Sequence, residues 1–336
     1  MKRLIVASVL VIAFAAVSLG KPSDVRFASG KSALNIPFKL LNNHIYLQVS
    51  VNDAEPLWFL LDTGAANIIN RRHASVLGLK PVSIGQATGV GEGVTDYFLT
   101  ENVSFKLPGV AIGNQKSAVL SLENVEECLT RIDVDSQGQI TTRTEARAKG
   151  EHPIDGVLGA QFFRLFVVEI DYAAKTINLY EPQSYRYQGG GEKFPLEFNG
   201  PHIFMRASIS AATHSDLPGR FLIDSGSAMA VVLTSPFVEQ NRLLPPADQT
   251  TPFPACGIGG DSQTQIGKIG EVRLGKIKIE NPITMFSQAR NGELARSDYS
   301  GQIGAATLRR FRVVFDYSRK VMILNNPTRI TNATTQ

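Results

Sequence analysis

Alternating apolar and polar positions recur along this chain in short runs, and the runs come twice in the same order. Ile45 to Val51 alternates with period two, which predicts a strand with one buried face. That run lies in a block starting at Ile36-Pro37 and passing through His44-Ile45-Tyr46-Leu47 to Ser50-Val51. Its echo is Phe194-Pro195 through His202-Ile203-Phe204-Met205 to Ser208-Ile209, at a constant offset of 158 residues. A continuous apolar run, Phe59-Leu60-Leu61, leads into Asp62-Thr63-Gly64-Ala65-Ala66, and Phe221-Leu222-Ile223 leads into Asp224-Ser225-Gly226-Ser227-Ala228. The third block is Gly156-Val157-Leu158-Gly159-Ala160 through Phe166 to Asp171-Tyr172 and Lys175. It returns as Gly301-Gln302-Ile303-Gly304-Ala305 through Phe311 to Asp316-Tyr317 and Lys320, 145 residues on. Each third block closes on a strand, Thr176 to Tyr180 and Val321 to Leu324, after a hairpin-type turn.

Repeats in a fixed order make the chain two copies of one β-rich unit. Gly189-Gly190-Gly191 stands between them as a linker. The chain then divides into a leader (1–20), a first lobe (21–188), a second lobe (189–330) and a tail (331–336). Helical patterns are few. Arg71 to Leu79 and Ser235 to Arg242 follow the two aspartate blocks and predict short helices. Ala160 to Leu165 and Ala305 to Arg310 predict single turns. The polar stretch from Glu123 to Glu151 has no counterpart in the second unit and reads as an insertion, a hairpin beside the cleft, with a turn at Asp135 to Gly138.

Composition narrows the class. Hydrophobic residues make up 43% and charged residues 19% of the 336 residues, enough apolar material for packed cores. Lys2 and Arg3 followed by the apolar run Leu4 to Val17 and small residues at Ser18 and Gly20 read as a cleaved signal peptide. A secreted or periplasmic protein, not membrane-held after cleavage, is expected. Losing Lys2 and Arg3 takes the formal charge from +4 to +2, which leaves no electrostatic footprint for nucleic acid. Two cysteines, Cys128 and Cys256, exclude a disulfide framework, and the sequence leaves open whether they pair.

The duplicated Asp-Thr/Ser-Gly carries the chemistry. One copy is an ordinary turn sequence, and average usage predicts on the order of 0.1 copies in a chain of this length. Two copies, each after a Phe-Leu-[Leu/Ile] strand inside a duplicated unit, call for another account. A carboxylate at the end of an apolar strand is disfavoured from ionising by burial. If the two units face each other across a pseudo-two-fold axis, Asp62 and Asp224 meet and share one proton. The ionised member then takes a proton from water while the protonated one hydrogen-bonds a substrate carbonyl, without metal or other cofactor. Gly64 and Gly226 permit close backbone approach. Thr63 and Ser225 offer hydroxyls to bond across the lobe interface.

On these residues the chain resembles the pepsin-like and retropepsin-like aspartic peptidases, over nearly all of the sequence after the leader. The resemblance implies an all-β acid protease fold with few short helices, two homologous β-barrel-like lobes and a cleft between them. It implies a monomeric aspartic endopeptidase with a polypeptide substrate, Asp62 and Asp224 catalytic, and Thr63, Gly64, Ser225 and Gly226 supporting their loops. Val157-Leu158-Gly159 and Gln302-Ile303-Gly304 resemble the hydrophobic-hydrophobic-Gly strands that thread beside those loops, with Gln302 breaking the apolar pattern. A glycine-rich flap over the substrate is implied at Gln86 to Thr95, with Thr88, Gly89, Val90 and Gly91 as substrate contacts. Cys256-Gly257-Ile258-Gly259-Gly260 is its second-lobe counterpart. Pepsin-like flaps carry a tyrosine, and Thr88 stands at the matching place, which is closer to the retropepsin pattern.

Other chemistry finds little support. His44, His73, His152, His202 and His214 form no zinc-ligand spacing, and His44 and His202 hold equivalent repeat positions, so structural roles are expected for them. The Asp133 to Gly138 stretch begins like a calcium loop but has Thr144 where an acid is needed. No metal site is expected. The alternative to an active peptidase is a catalytically inactive, pepsin-like peptide-binding module, since fold alone does not fix activity.

Overall fold

The structure is a computed structural model that describes residues 24–130, 132–134, 140–142, 153–212 and 214–325. The leader, the tail and the turn expected at Asp135 to Gly138 lie outside these residues. The chain forms two lobes, each built on one large strongly bent sheet, and a third sheet shared between them. The first-lobe sheet runs in the order Asp24–Phe27, Val110–Leu120, Ile68–Asn70, Gly156–Leu158, Leu57–Leu61, His44–Val51, Thr95–Leu107 and Ser83–Ala87. In the second lobe the order is Thr251–Gly257, Gly260–Lys268, Ile283–Ser287, Val231–Leu233, Gly301–Gly304, His214–Asp224, His202–Ala211, Glu271–Leu274 and Ile277–Glu280.

The shared sheet contains the ends of both units. Ser32–Pro37, Thr176–Tyr180 and Val167–Asp171 come from the first, and Arg312–Asp316, Val321–Asn325 and Glu192–Pro195 from the second. Val167–Asp171 pairs antiparallel with Arg312–Asp316, so equivalent strands meet at the centre. Around that seam, Phe163 lies edge-on to Phe315 at 5.4 Å and stacks on Tyr317 at 5.6 Å. The buried core runs continuously from Ile36 and Phe59 through Phe163 to Phe221 and Phe315. Separating the lobes would expose this surface, at about 25 cal/mol per Å² of apolar area.

Beside each aspartate loop the fold threads a short buried strand. Gly156–Leu158 runs parallel to Leu57–Leu61 and antiparallel to Ile68–Asn70. Gly301–Gly304 runs parallel to the end of His214–Asp224 and antiparallel to Val231–Leu233. Such central strands, covered on both faces, read in sequence as uninterrupted apolar runs. Gly159 and Gly304 follow from the crowding here. A Cβ on Gly159 would sit 2.3 Å from the Ala65 carbonyl oxygen, and one on Gly304 would sit 2.2 Å from that of Met229.

Three helices occupy the expected places, Ala160–Leu165 with the expected bounds and the other two slightly shorter. Ala160–Leu165 and Ala305–Leu308 follow the threaded strands, and Ser235–Asn241 ends at Arg242, whose left-handed backbone (φ 51°) stops it. The segment after Asn70 makes only a 3₁₀ turn, Arg71–His73, in place of the longer helix expected to Leu79. Between Glu123 and Glu151 the structure adds a helix that was not expected and keeps a pair of antiparallel strands, as the hairpin reading requires. Glu123–Thr130 is a helix, followed by two short paired strands, Ile132–Val134 and Ile140–Thr142. The helix buries Leu129 and Cys128 against the first lobe and the second-lobe strand Thr251–Gly257. Cys128 is bonded to Cys256 across the lobes, Cα to Cα 6.0 Å.

Candidate active site

Asp62 and Asp224 end the strands Leu57–Leu61 and His214–Asp224 and meet at the lobe interface, where their carboxyls hydrogen-bond each other. The two loops are built alike. Gly64 N–H donates to Asp62 Oδ1 at 2.7 Å, and Gly226 N–H donates to Asp224 Oδ1 at 3.0 Å. A Cβ on Gly64 would fall 2.7 Å from Asp224 Oδ1, and one on Gly226 would fall 2.2 Å from Asp62 Oδ2. The bare glycines therefore let each loop come up against the other lobe's carboxylate.

Thr63 and Ser225, both fully buried, interlock beneath this pair. The Thr63 hydroxyl donates to the Ile223 carbonyl at 2.7 Å and accepts the Ser225 N–H at 3.0 Å. Reciprocally, the Ser225 hydroxyl donates to the Leu61 carbonyl at 2.9 Å and accepts the Thr63 N–H at 3.0 Å. Four bonds thus satisfy buried groups on both lobes at once. Each is worth about 1 kcal/mol net, and an orphaned partner costs about 1–3 kcal/mol. The backbone repeats the pattern outside the loops. Ala160 N–H reaches the Ala65 carbonyl and Ala305 N–H reaches that of Ser227, both at 2.8 Å.

Burial raises the Asp62 carboxyl above its ordinary range, with the Gly64 N–H and the Asp224 hydrogen bond opposing it. It raises Asp224 much further, and the charge on Asp62 adds to the effect. Two carboxylates at this range cannot both ionise easily, so the pair titrates as a unit and keeps one proton where free carboxyls have lost theirs.

A cavity of about 570 Å³ surrounds the pair. Its first-lobe wall is apolar, with Leu60, Ile68, Leu120 and Val157, and its second-lobe wall is formed by Met229, Val232 and Phe253 among others. Two hairpins roof it. Ser83–Ala87 pairs with Thr95–Leu107, leaving residues 88–94 as the tip. Thr251–Gly257 pairs with Gly260–Lys268 and turns on Ile258 and Gly259. The tips bond each other: Gly91 N–H to the Ile258 carbonyl at 3.0 Å and Gly93 N–H to the Gly259 carbonyl at 2.9 Å. Each tip also crosses over. Val90 packs on the second lobe's cluster of Met229 and Phe253, and Ile258 on the first lobe's cluster of Leu60 and Leu120. Thr88, Gly89 and Val90 line the cavity, whereas Gly91 is buried against the opposite tip.

Some residues around the cavity were not legible beforehand. Tyr97, on the return strand of the first hairpin, lines the cavity although it lies beyond the expected flap segment. Gln302, the polar residue in the threaded strand, is buried and lines the cavity. Just before that strand, the Tyr299 hydroxyl donates to the Glu293 carbonyl at 2.7 Å. Glu293 N–H in turn bonds the Gly89 carbonyl of the first hairpin at 2.8 Å. Tyr299 is therefore one end of a chain reaching the roof. Under the roof's first-lobe edge, Arg72 bridges Asp155 at 2.7 Å and Glu126 of the helix Glu123–Thr130 at 2.7 Å. Burial pushes the Asp155 carboxyl up, but Arg72 and the Trp58 N–H outweigh it and hold it below the ordinary carboxylate range.

Residues 47–162 and 210–305 match the family model described as aspartyl protease. Those stretches are more than half of the chain and include both aspartate loops and both threaded strands. The chain belongs to the aspartyl protease family. No curated protein matches it.

Proposed function

We propose that the protein is an aspartic endopeptidase in which Asp62 and Asp224 activate one water against a peptide carbonyl. The observation that carries this reading is the close carboxyl pair, one member from each lobe, opening into an apolar cavity under a roof of two hairpins. In the resting state Asp62 is ionised and Asp224 holds the shared proton. Asp62 draws a proton from water as the oxygen attacks, and Asp224 hydrogen-bonds the carbonyl oxygen as it gains charge. Collapse of the tetrahedral species returns a proton to the leaving amine. An extended polypeptide lies between the lobes with its backbone along the hairpin Ser83–Ala87 and Thr95–Leu107, in the manner of an added strand. Thr88, Gly89 and Val90 contact it, and the apolar walls take side chains on either side of the cut. The glycine-rich roof, with no tyrosine at Thr88, favours a retropepsin-like over a pepsin-like variant. The leader at 1–20 fits export, and the protein then works outside the cytoplasm as a monomer.

The test is cleavage of a diverse peptide mixture, read by mass spectrometry at several pH values, for the wild type, Asp62→Asn and Asp224→Asn. Cleavage that is blocked by a statine-type inhibitor and lost in both variants supports the proposal. Unchanged turnover in either variant refutes the shared-proton mechanism. Tight peptide binding without cleavage by the wild type supports the non-catalytic module instead.

A further inference from the structure

His44 and His202 hold equivalent positions in the two repeats, and the fold brings both to the aspartate pair. Each opens a strand directly after a tight turn, with Leu41 paired to His44 and Asn199 to His202. Tyr46 pairs with Leu60, and Phe204 with Leu222. Continuing those registers by two residues sets His44 opposite Asp62 and His202 opposite Asp224. Both imidazoles line the cavity.

Both imidazoles face the other lobe's aspartate loop. His44 Nε2 lies 2.9 Å from the Gly226 carbonyl oxygen, and a carbonyl only accepts, so Nε2 carries the proton. His202 stands in the corresponding place against the Gly64 backbone, which favours its protonated form. These are the glycines whose N–H groups hold Asp62 and Asp224. Next to His44, Asn43 extends the contact, donating to the Ala228 carbonyl at 2.7 Å and accepting from Arg309 at 2.6 Å.

We propose that His44 and His202 are positioning residues forming a second cross-lobe brace, each fixing the opposite lobe's aspartate loop, and that His202 also sets the acid limb of activity through its charge beside Asp62. The proposal rests on the aspartate pair being catalytic, as argued above. The brace is distinct from the hydroxyl interlock. Thr63 and Ser225 hold the loops from beneath, whereas the imidazoles hold them at the cavity wall.

The environments of the two histidines differ. His202 shares the cavity wall with Asp62, Asp224, Glu293 and Arg296, with Tyr299 close to the last two, and Arg164 of the helix Ala160–Leu165 bonds the Gly200 carbonyl of the turn before it at 2.5 Å. Burial lowers the readiness of His202 to take a proton, and Glu293 opposes that while Arg296 adds to it. At acid pH the imidazolium favours an ionised Asp62, which keeps one aspartate charged to lower pH. At higher pH the imidazole is neutral and only its contact with the Gly64 loop acts.

The experiment compares wild type with His202→Gln, His202→Phe, His44→Gln and His44→Phe, all as the full chain. Glutamine retains an N–H donor without the titratable charge, and phenylalanine retains neither. Aspartate carboxyl shifts are followed by ¹³C NMR across the pH range, which reads the pair even if no peptide is cut. The first ionisation of the pair is expected to move upward by roughly half a pH unit or more in His202→Gln. Peptide turnover is expected to fall roughly tenfold further in each phenylalanine variant than in the matching glutamine variant. An unchanged carboxyl titration in His202→Gln overturns the charge role. Equal turnover losses in the glutamine and phenylalanine variants overturn the brace. If the phenylalanine variants fail to fold, peptide turnover of His44→Gln and His202→Gln against His44→Ala and His202→Ala decides the brace in the same way. A wild type that titrates as expected but cuts nothing refutes the peptidase reading and leaves the histidine result standing.

Discussion

The two lobes are nearly interchangeable at their floor and different at their roof. On the floor, strand, aspartate loop and threaded glycine strand repeat with matching bonds. Thr63 and Ser225 exchange the same four contacts. At the roof, the first-lobe hairpin ends in the broad glycine-rich tip 88–94, while the second turns tightly on two residues, Ile258 and Gly259. The second hairpin is also bonded through Cys256 to a helix of the first lobe, whereas noncovalent contacts hold the first hairpin's tip. Symmetry is retained where two like groups must meet in one geometry. It is relaxed at the roof, where the second-lobe hairpin is held covalently and the first-lobe tip by hydrogen bonds and packing.

The sharpest test of floor symmetry is loss of either carboxyl. Asp62→Asn and Asp224→Asn are each expected to reduce turnover by at least 10²–10⁴-fold, with circular dichroism unchanged. A large difference between them would mean that one lobe alone does the chemistry. Next in size come the glycines. Gly226→Ala and Gly64→Ala force a methyl against the opposite carboxyl, with the tighter approach at Gly226. Both are expected to lower kcat more than they lower Tm, Gly226→Ala the more strongly.

The interlock beneath offers a smaller, thermodynamic measure. Thr63→Ala and Ser225→Ala each orphan buried groups on both lobes and are expected to cost about 1–3 kcal/mol in denaturant unfolding. The double variant should cost less than the sum, because the two side chains serve the same bonds. Fully additive losses would mean that the lobes do not support each other there.

The mildest effect is on stability against pH. Asp224 has its carboxyl raised by burial and by Asp62, so its proton is held more tightly folded than unfolded. Its contribution is present below the ordinary carboxylate range and is lost as pH rises through the pair's upper ionisation. Asp224→Asn carries no such charge and is expected to melt above wild type on the alkaline side. Parallel melting curves up to high pH would contradict the raised ionisation. Asp155 has the opposite sign. Its depressed carboxyl supports the Arg72 bridge at neutral pH and releases it as pH falls through its folded value.

Much of the floor was readable because it is written twice. Period-two alternation at Ile45 to Val51 and the apolar runs into Asp62 and Asp224 give strands and loops directly, since burial on one or both faces imposes those patterns. The roof was less readable. Gly89, Gly91 and Gly93 mark a hairpin, but nothing in a local pattern says that Val90 and Ile258 exchange lobes. That contact depends on how two distant hairpins cross. The helix Glu123–Thr130 was missed for a related reason. Its apolar stripe is short, Val125, Cys128 and Leu129, and the partners that anchor it, Arg72 and Cys256, lie 51 residues or more away in sequence. Gln302 looked like a flaw in the threaded strand because the cavity it lines is formed only when both lobes come together.

The bond between Cys128 and Cys256 closes a covalent ring that contains the whole stretch joining the two halves, Gly189 to Gly191 included. A single nick anywhere inside that ring leaves one molecule, with both aspartates still attached to each other's scaffold. An enzyme that cut its own connecting segment would run as two bands on a reducing gel and as one on a non-reducing gel. Its paired carboxyls would be kept together until a thiol opened the ring.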